Sequence, residues 1–117
     1  MINYQDALNR IKSAVNGRDV NNFTTRVPKI KFNLIKNDVE IHTFELSVQA
    51  SDYHYSSPRE NCDEYDEVEI GFPNFKFSDE FISRYAEDTN NPLDTVYGYV
   101  PIEELALEIA NFCKKFK

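Results

Sequence analysis

Six carboxylates crowd into ten consecutive residues: Glu60, Asp63, Glu64, Asp66, Glu67 and Glu69. Such a cluster has three uses. It can be a solvated loop and strand face, which is what most charge runs are. It can hold a metal ion, but the calcium-loop pattern needs acids at alternate positions around a central Gly, and no Gly lies between Glu60 and Glu69. Or it can form an acidic patch that competes for a basic groove. Like charges held close together repel and cost stability, so a patch of this kind calls for a reason.

Just ahead of the cluster, Tyr53-His54-Tyr55-Ser56-Ser57-Pro58-Arg59-Glu60 gathers an imidazole, two phenols, two hydroxyls and a guanidinium. His54 with Ser56 or Ser57 would supply a base and a nucleophile for a small hydrolytic site. Adjacency in sequence does not build one, because a nucleophile needs a base within hydrogen-bond reach and a third group to orient it. The other histidine, His42, falls on an expected strand. Hydroxyls in a turn ordinarily bond the backbone, and tyrosines half-cover a core. Exposed Tyr and Arg also lead the statistics of interface hot spots. The expected partner-binding set is therefore Tyr53, Tyr55 and Arg59 as anchors, with Asp63, Glu64, Asp66, Glu67 and Glu69 as the charged surface. No catalytic residue, metal ligand or cofactor is assigned. Gly98, in Tyr97-Gly98-Tyr99, belongs to neither a G-x-G-x-x-G nor a Walker pattern.

The charge of the whole chain is sorted in the same sense. Residues 1–36 carry a net +5, residues 37–113 a net −15, and three lysines close the chain, for −7 overall. An anionic field of this kind suits a protein partner with a basic surface and disfavours direct binding to duplex phosphates. Arg18, Arg26, Lys29, Lys31 and Lys36 offer a small basic patch without the interleaved aromatics of an RNA-binding sheet. Two cysteines, Cys62 and Cys113, do not make a disulfide framework and suit reduced thiols in the cytoplasm. The first residues show neither a basic n-region nor an apolar h-region, so no signal peptide is expected. No apolar run is long enough to span a bilayer.

The elements that must carry these groups follow from periodicity. At 117 residues a single domain is expected, and 14% aromatic content supports a real core. Tyr4, Leu8, Ile11 and Val15 form a helical stripe between an Asn3 cap and Gly17. Residues 18–27 read as a connection. Lys29 to Lys36 alternates as a half-buried strand, Asn37-Asp38 turns the chain, and a return strand runs from Val39 to about Ala50. A change of parity near His42-Thr43 implies a bulge. Residues 51–65 form a long polar loop. Asp66 to Phe72 alternates through Val68, Ile70 and Phe72, with Phe75 and Phe77 as a continuation after Pro73. Ser78 caps a short helix with Phe81, Ile82 and Tyr85 inward, Asn90-Asn91-Pro92 turns, and Thr95–Tyr99 is a short strand. Pro101 opens a last helix whose stripe is Ile102, Leu105, Ala106, Ile109, Phe112, Cys113 and Phe116. Strands in series with helices at the ends give an α+β domain: an N-terminal helix, an antiparallel sheet of three or four strands, a short helix, and a C-terminal helix packed on the sheet.

Ser47–Ser51, His54–Arg59, Val68-Glu69-Ile70-Gly71-Phe72-Pro73 and Val96-Tyr97-Gly98-Tyr99-Val100-Pro101 together resemble small proteins carried by phages and mobile elements. The resemblance covers roughly residues 44–112. It implies a host-interaction or anti-defence role of the anti-CRISPR type, in which a small acidic protein blocks a nucleic-acid-handling enzyme, and it assigns no catalytic residue. The expectation is thus a non-enzymatic inhibitor that occludes a basic groove. An immunity protein against a basic nuclease toxin uses the same physics, and an enzyme built on His54 with Ser56 or Ser57 is the remaining alternative.

Overall fold

A computed structural model describes residues 3–17, 29–51, 53–60, 62 and 64–114, and of residues 34–36 and 40–42 the backbone alone. The first helix, α1 (Tyr4–Val15), begins where the Asn3 side chain accepts the Asp6 amide. It ends at Asn16, followed by Gly17 at φ +74°, a left-handed conformation that glycine enters without a Cβ penalty. Its buried residues are Ala7, Leu8, Ile11 and Val15, the stripe expected from their spacing.

Strands β1 (Ile30–Lys36) and β2 (Val39–Gln49) form a hairpin. Asn37 and Asp38 both take positive φ, 54° and 61°, the conformation that a two-residue turn of matching twist demands and that these side chains tolerate. Leu34 pairs with His42 but Ile35 with Glu40, so Ile41 is the extra residue of a bulge. That bulge accounts for the parity change read from the sequence. Beyond it, Phe44, Leu46, Val48 and Ala50 are buried on the core side.

β2 then pairs antiparallel with β3 (Glu67–Gly71), and β3 with β4 (Val96–Pro101), giving one sheet in the order β1-β2-β3-β4. The short helix α2 (Asp79–Tyr85), capped by the Ser78 hydroxyl, packs on β4. The last helix, α3 (Ile102–Lys114), packs against α1 and β4. The core joins α1, α3 and the inner face of the sheet, and includes Ile11, Leu46, Val68, Ile70, Tyr97, Val100, Leu105 and Ile109, none more than 2% exposed. Burying side chains of this kind stabilises the fold by about 1.5–3 kcal/mol each. The architecture is the expected α+β arrangement, with four strands.

Three local expectations are corrected. Phe72 does not continue the inward alternation of β3; it sits just past the strand at φ +47° and is 52% exposed. The positive φ breaks the strand, so residues 72–78 run as an irregular segment instead of a strand extension. Phe75 and Phe77 are nevertheless core residues, in edge-on contact with each other (ring centroids 5.0 Å apart), Phe75 with Phe44 and Phe77 with Tyr97. Asn74 holds this segment against β2, its side chain accepting the Glu45 amide and donating to the Thr43 carbonyl. Pro101 is the last residue of β4 and not the first turn of α3, which starts at Ile102. The expected connection over residues 18–27 and the terminal Phe116 lie outside the described residues.

Candidate functional site

The long loop is anchored at both ends. Ser57 pairs with Glu67 as an isolated bridge: its amide donates to the Glu67 carbonyl, and its carbonyl accepts the amides of Asp66 and Glu67. Tyr65, only 2% exposed, donates its hydroxyl to the Glu60 carbonyl, and its amide donates to the Asn16 side chain at the end of α1. Glu60 and Tyr65 are thus tied together, and Tyr65 is tied to the C-terminal end of α1. Tyr65 was the residue least visible to pattern reading, because it sits among acids and belongs to no periodic stripe.

Tyr55 is held on every side. Its amide donates to Glu69 Oε2 at 2.9 Å, and its carbonyl accepts the Tyr99 amide at 2.8 Å. Its ring lies 5.7 Å from that of Tyr99, and the guanidinium of Arg59 sits 5.0 Å from the Tyr55 ring centroid. The backbone of β4 is shaped to allow this. Val68 pairs with Val100 and Ile70 with Tyr97, so Gly98 and Tyr99 together oppose the single residue Glu69. This is a bulge, and bulges re-aim side chains. Tyr99 takes φ +53° there, a conformation that is rare for a bulky residue. At Gly98 a Cβ would come within 3.2 Å of the Tyr55 Cβ, so the absence of a side chain is what lets Tyr55 approach.

The expected site residues therefore divide as follows. Tyr55, Arg59 and Glu69 come together, joined by Tyr99, which lies outside the expected set. Tyr53, two residues before Tyr55 in the chain, is 84% exposed. Glu67 shares the outward face of β3 with Glu69, while Val68 and Ile70 face the core. Glu64 and Asp66 are exposed on the same loop-strand unit. Asp63 lies outside the described residues. Among the described residues, none of Glu60, Glu64, Asp66, Glu67 and Glu69 makes an ion pair; the four ion pairs found use Glu45, Asp79, Glu80 and Glu104.

In this loop the histidine contacts a different serine from the two expected. His54 Nδ1 lies 2.6 Å from Ser51 Oγ, and not against Ser56 or Ser57. Ser56 is buried, its hydroxyl surrounded by the carbonyl oxygens of Ser51, His54 and Pro58. An open groove of about 490 Å³ lies elsewhere, between α2 and α3, and none of its lining residues comes from the loop. Its polar groups satisfy one another: Arg84 bridges Glu80 and Glu104, and the Tyr85 hydroxyl donates to Glu104. Burial first, then that carboxylate, raises the Tyr85 hydroxyl above the ordinary phenol range. No group of three or more metal-ligating side chains occurs among the described residues. Both cysteines are free, Cys62 half-buried and Cys113 in the core, where burial pushes its thiol up. Among the described residues no helix is long and apolar enough to cross a membrane.

No family model, curated protein or solved structure matches this chain.

Proposed function

We propose that this is a non-enzymatic binding protein. Its anionic loop-strand unit, residues 60–69, occupies a basic groove of a nucleic-acid-handling protein and blocks it, as an anti-defence inhibitor would. The observation that carries this reading is the density of unpaired carboxylates: Glu60, Glu64, Asp66, Glu67 and Glu69 lie within ten consecutive residues and have no Lys or Arg partner among the described residues. Leaving like charges unmatched along ten residues weakens the fold and strengthens the field available to a cationic partner. The ordered tyrosines beside them supply rigid contact area that loses little entropy on binding.

The test is affinity capture from cells of the native host with the wild type and with a variant carrying Glu64→Lys, Asp66→Lys and Glu67→Lys. The expected result is a nucleic-acid-binding protein retained by the wild type alone and displaced by added DNA or RNA. Equal retention by the variant contradicts the proposal.

A further inference from the structure

Within that face, we infer that the Tyr99 ring, carried on a left-handed backbone position, and the carboxylates of Glu67 and Glu69 form a receptor for an arginine side chain of the partner. The inference rests on the binding reading above and sharpens it.

Three observations converge. First, Tyr99 is held at φ +53° by a bulge and is still 44% exposed, so the unfavourable backbone is not offset by full burial of its ring. A bulky residue kept in the left-handed region marks a place where the fold holds a side chain in a set direction, and such strain gathers at binding sites. Second, a guanidinium already rests over the adjoining ring, Arg59 on Tyr55, and forms no ion pair among the described residues. The chain thereby displays the aromatic–guanidinium geometry on the neighbouring member of the pair. Third, acceptors lie on the adjoining strand: Gly98 and Tyr99 oppose Glu69, and Glu67 shares its outward face. Glu69 uses Oε2 for the Tyr55 amide, while its other oxygen and the Glu67 carboxylate have no partner among the described residues. A planar guanidinium can stack on an aromatic face while its N–H groups donate sideways to carboxylates. A lysine ammonium, compact and strongly hydrated, does this less well. The same carboxylates repel phosphate, which sets a nucleobase-stacking role aside.

The experiment measures fluorescence-anisotropy binding of a labelled Gly/Ser peptide containing arginines, and of its lysine counterpart. The proteins compared are the wild type, Tyr99→Gly, Tyr99→Phe, and a neutralised variant (Glu64→Gln, Asp66→Asn, Glu67→Gln). Glycine suits the left-handed φ, so Tyr99→Gly removes the ring while leaving the backbone at ease, and a melting curve checks that it folds. The expected result is that the wild type and Tyr99→Phe prefer the arginine peptide, and that Tyr99→Gly binds it about tenfold more weakly and loses the preference. If the wild type and Tyr99→Gly bind both peptides alike while the neutralised variant binds neither, the acidic-surface reading stands and the arginine receptor is wrong. If no protein binds either peptide, or the neutralised variant binds as well as the wild type, both are wrong.

Discussion

The amide of Tyr99 donates to the carbonyl of Tyr55 at 2.8 Å, and the two rings lie 5.7 Å apart. These residues are far apart in sequence, and neither belongs to the hydrophobic core. Their contact fixes the long loop to the edge of the sheet. It is made possible by a bulge, a glycine without a side chain, and a carboxylate that accepts the Tyr55 amide.

The glycine gives the first prediction. Gly98→Ala places a methyl 3.2 Å from the Tyr55 Cβ, and Tyr55 cannot retreat because both its amide and its carbonyl are bonded. Overpacking of this kind costs about 1–2 kcal/mol. Denaturant unfolding is expected to give a lower midpoint, and partner binding is expected to weaken with it. An unchanged midpoint shows that the loop yields freely.

Glu69 gives the second. Glu69→Ala removes the acceptor of the Tyr55 amide, and because the loop is exposed the cost is expected to be modest, about 0.5–1.5 kcal/mol. Glu69→Gln keeps an acceptor oxygen. Amide hydrogen exchange at Tyr55 is therefore expected to accelerate in the alanine variant and to stay close to wild type in the glutamine variant. Equal acceleration in both means that the charge, and not the hydrogen bond, orders the loop.

Tyr97 sets the response to alkali. It is fully buried, and burial pushes its hydroxyl up to about 12 while that hydroxyl donates to the Pro92 carbonyl. In the unfolded chain the phenol titrates near ~10. Between these values the folded state holds a proton that the unfolded state has lost. Stability is thus fully present below about pH 10 and falls as pH rises through the folded value. The span of about two pH units corresponds to at most about 3 kcal/mol. Tyr97→Phe is expected to cost about 1 kcal/mol at neutral pH, through loss of the hydrogen bond, and to flatten the decline above pH ~10. A wild-type stability constant from pH 9 to pH 12 contradicts this.

The segments set by a single repeating pattern were legible in the sequence. The α1 and α3 stripes, the Asn3 and Ser78 caps, the Asn37-Asp38 turn and the β2 bulge all follow from local spacing and turn chemistry. What escaped was decided by contacts between distant residues. Tyr65 is buried because Asn16 and the Glu60 carbonyl receive its polar groups. Phe72 faces outward because its backbone breaks the strand parity. Tyr99 leaves the pleat because Gly98 and Tyr99 share one partner position. At the candidate site, Tyr55, Arg59 and Glu69 were legible as residue types suited to an interface. Their convergence was not, since it runs through a β4 bulge that alternation alone does not reveal.

The central claim is that the carboxylates of Glu60, Glu64, Asp66, Glu67 and Glu69, unmatched among the described residues, carry binding to a cationic partner. The most direct measurement is the affinity of the captured partner for the wild type and for the Glu64→Lys/Asp66→Lys/Glu67→Lys variant, titrated at ~50 and ~200 mM salt. The expected result is wild-type binding that weakens steeply with salt and a variant that binds far more weakly at both concentrations. Equal affinity of the two proteins with no salt dependence would contradict it.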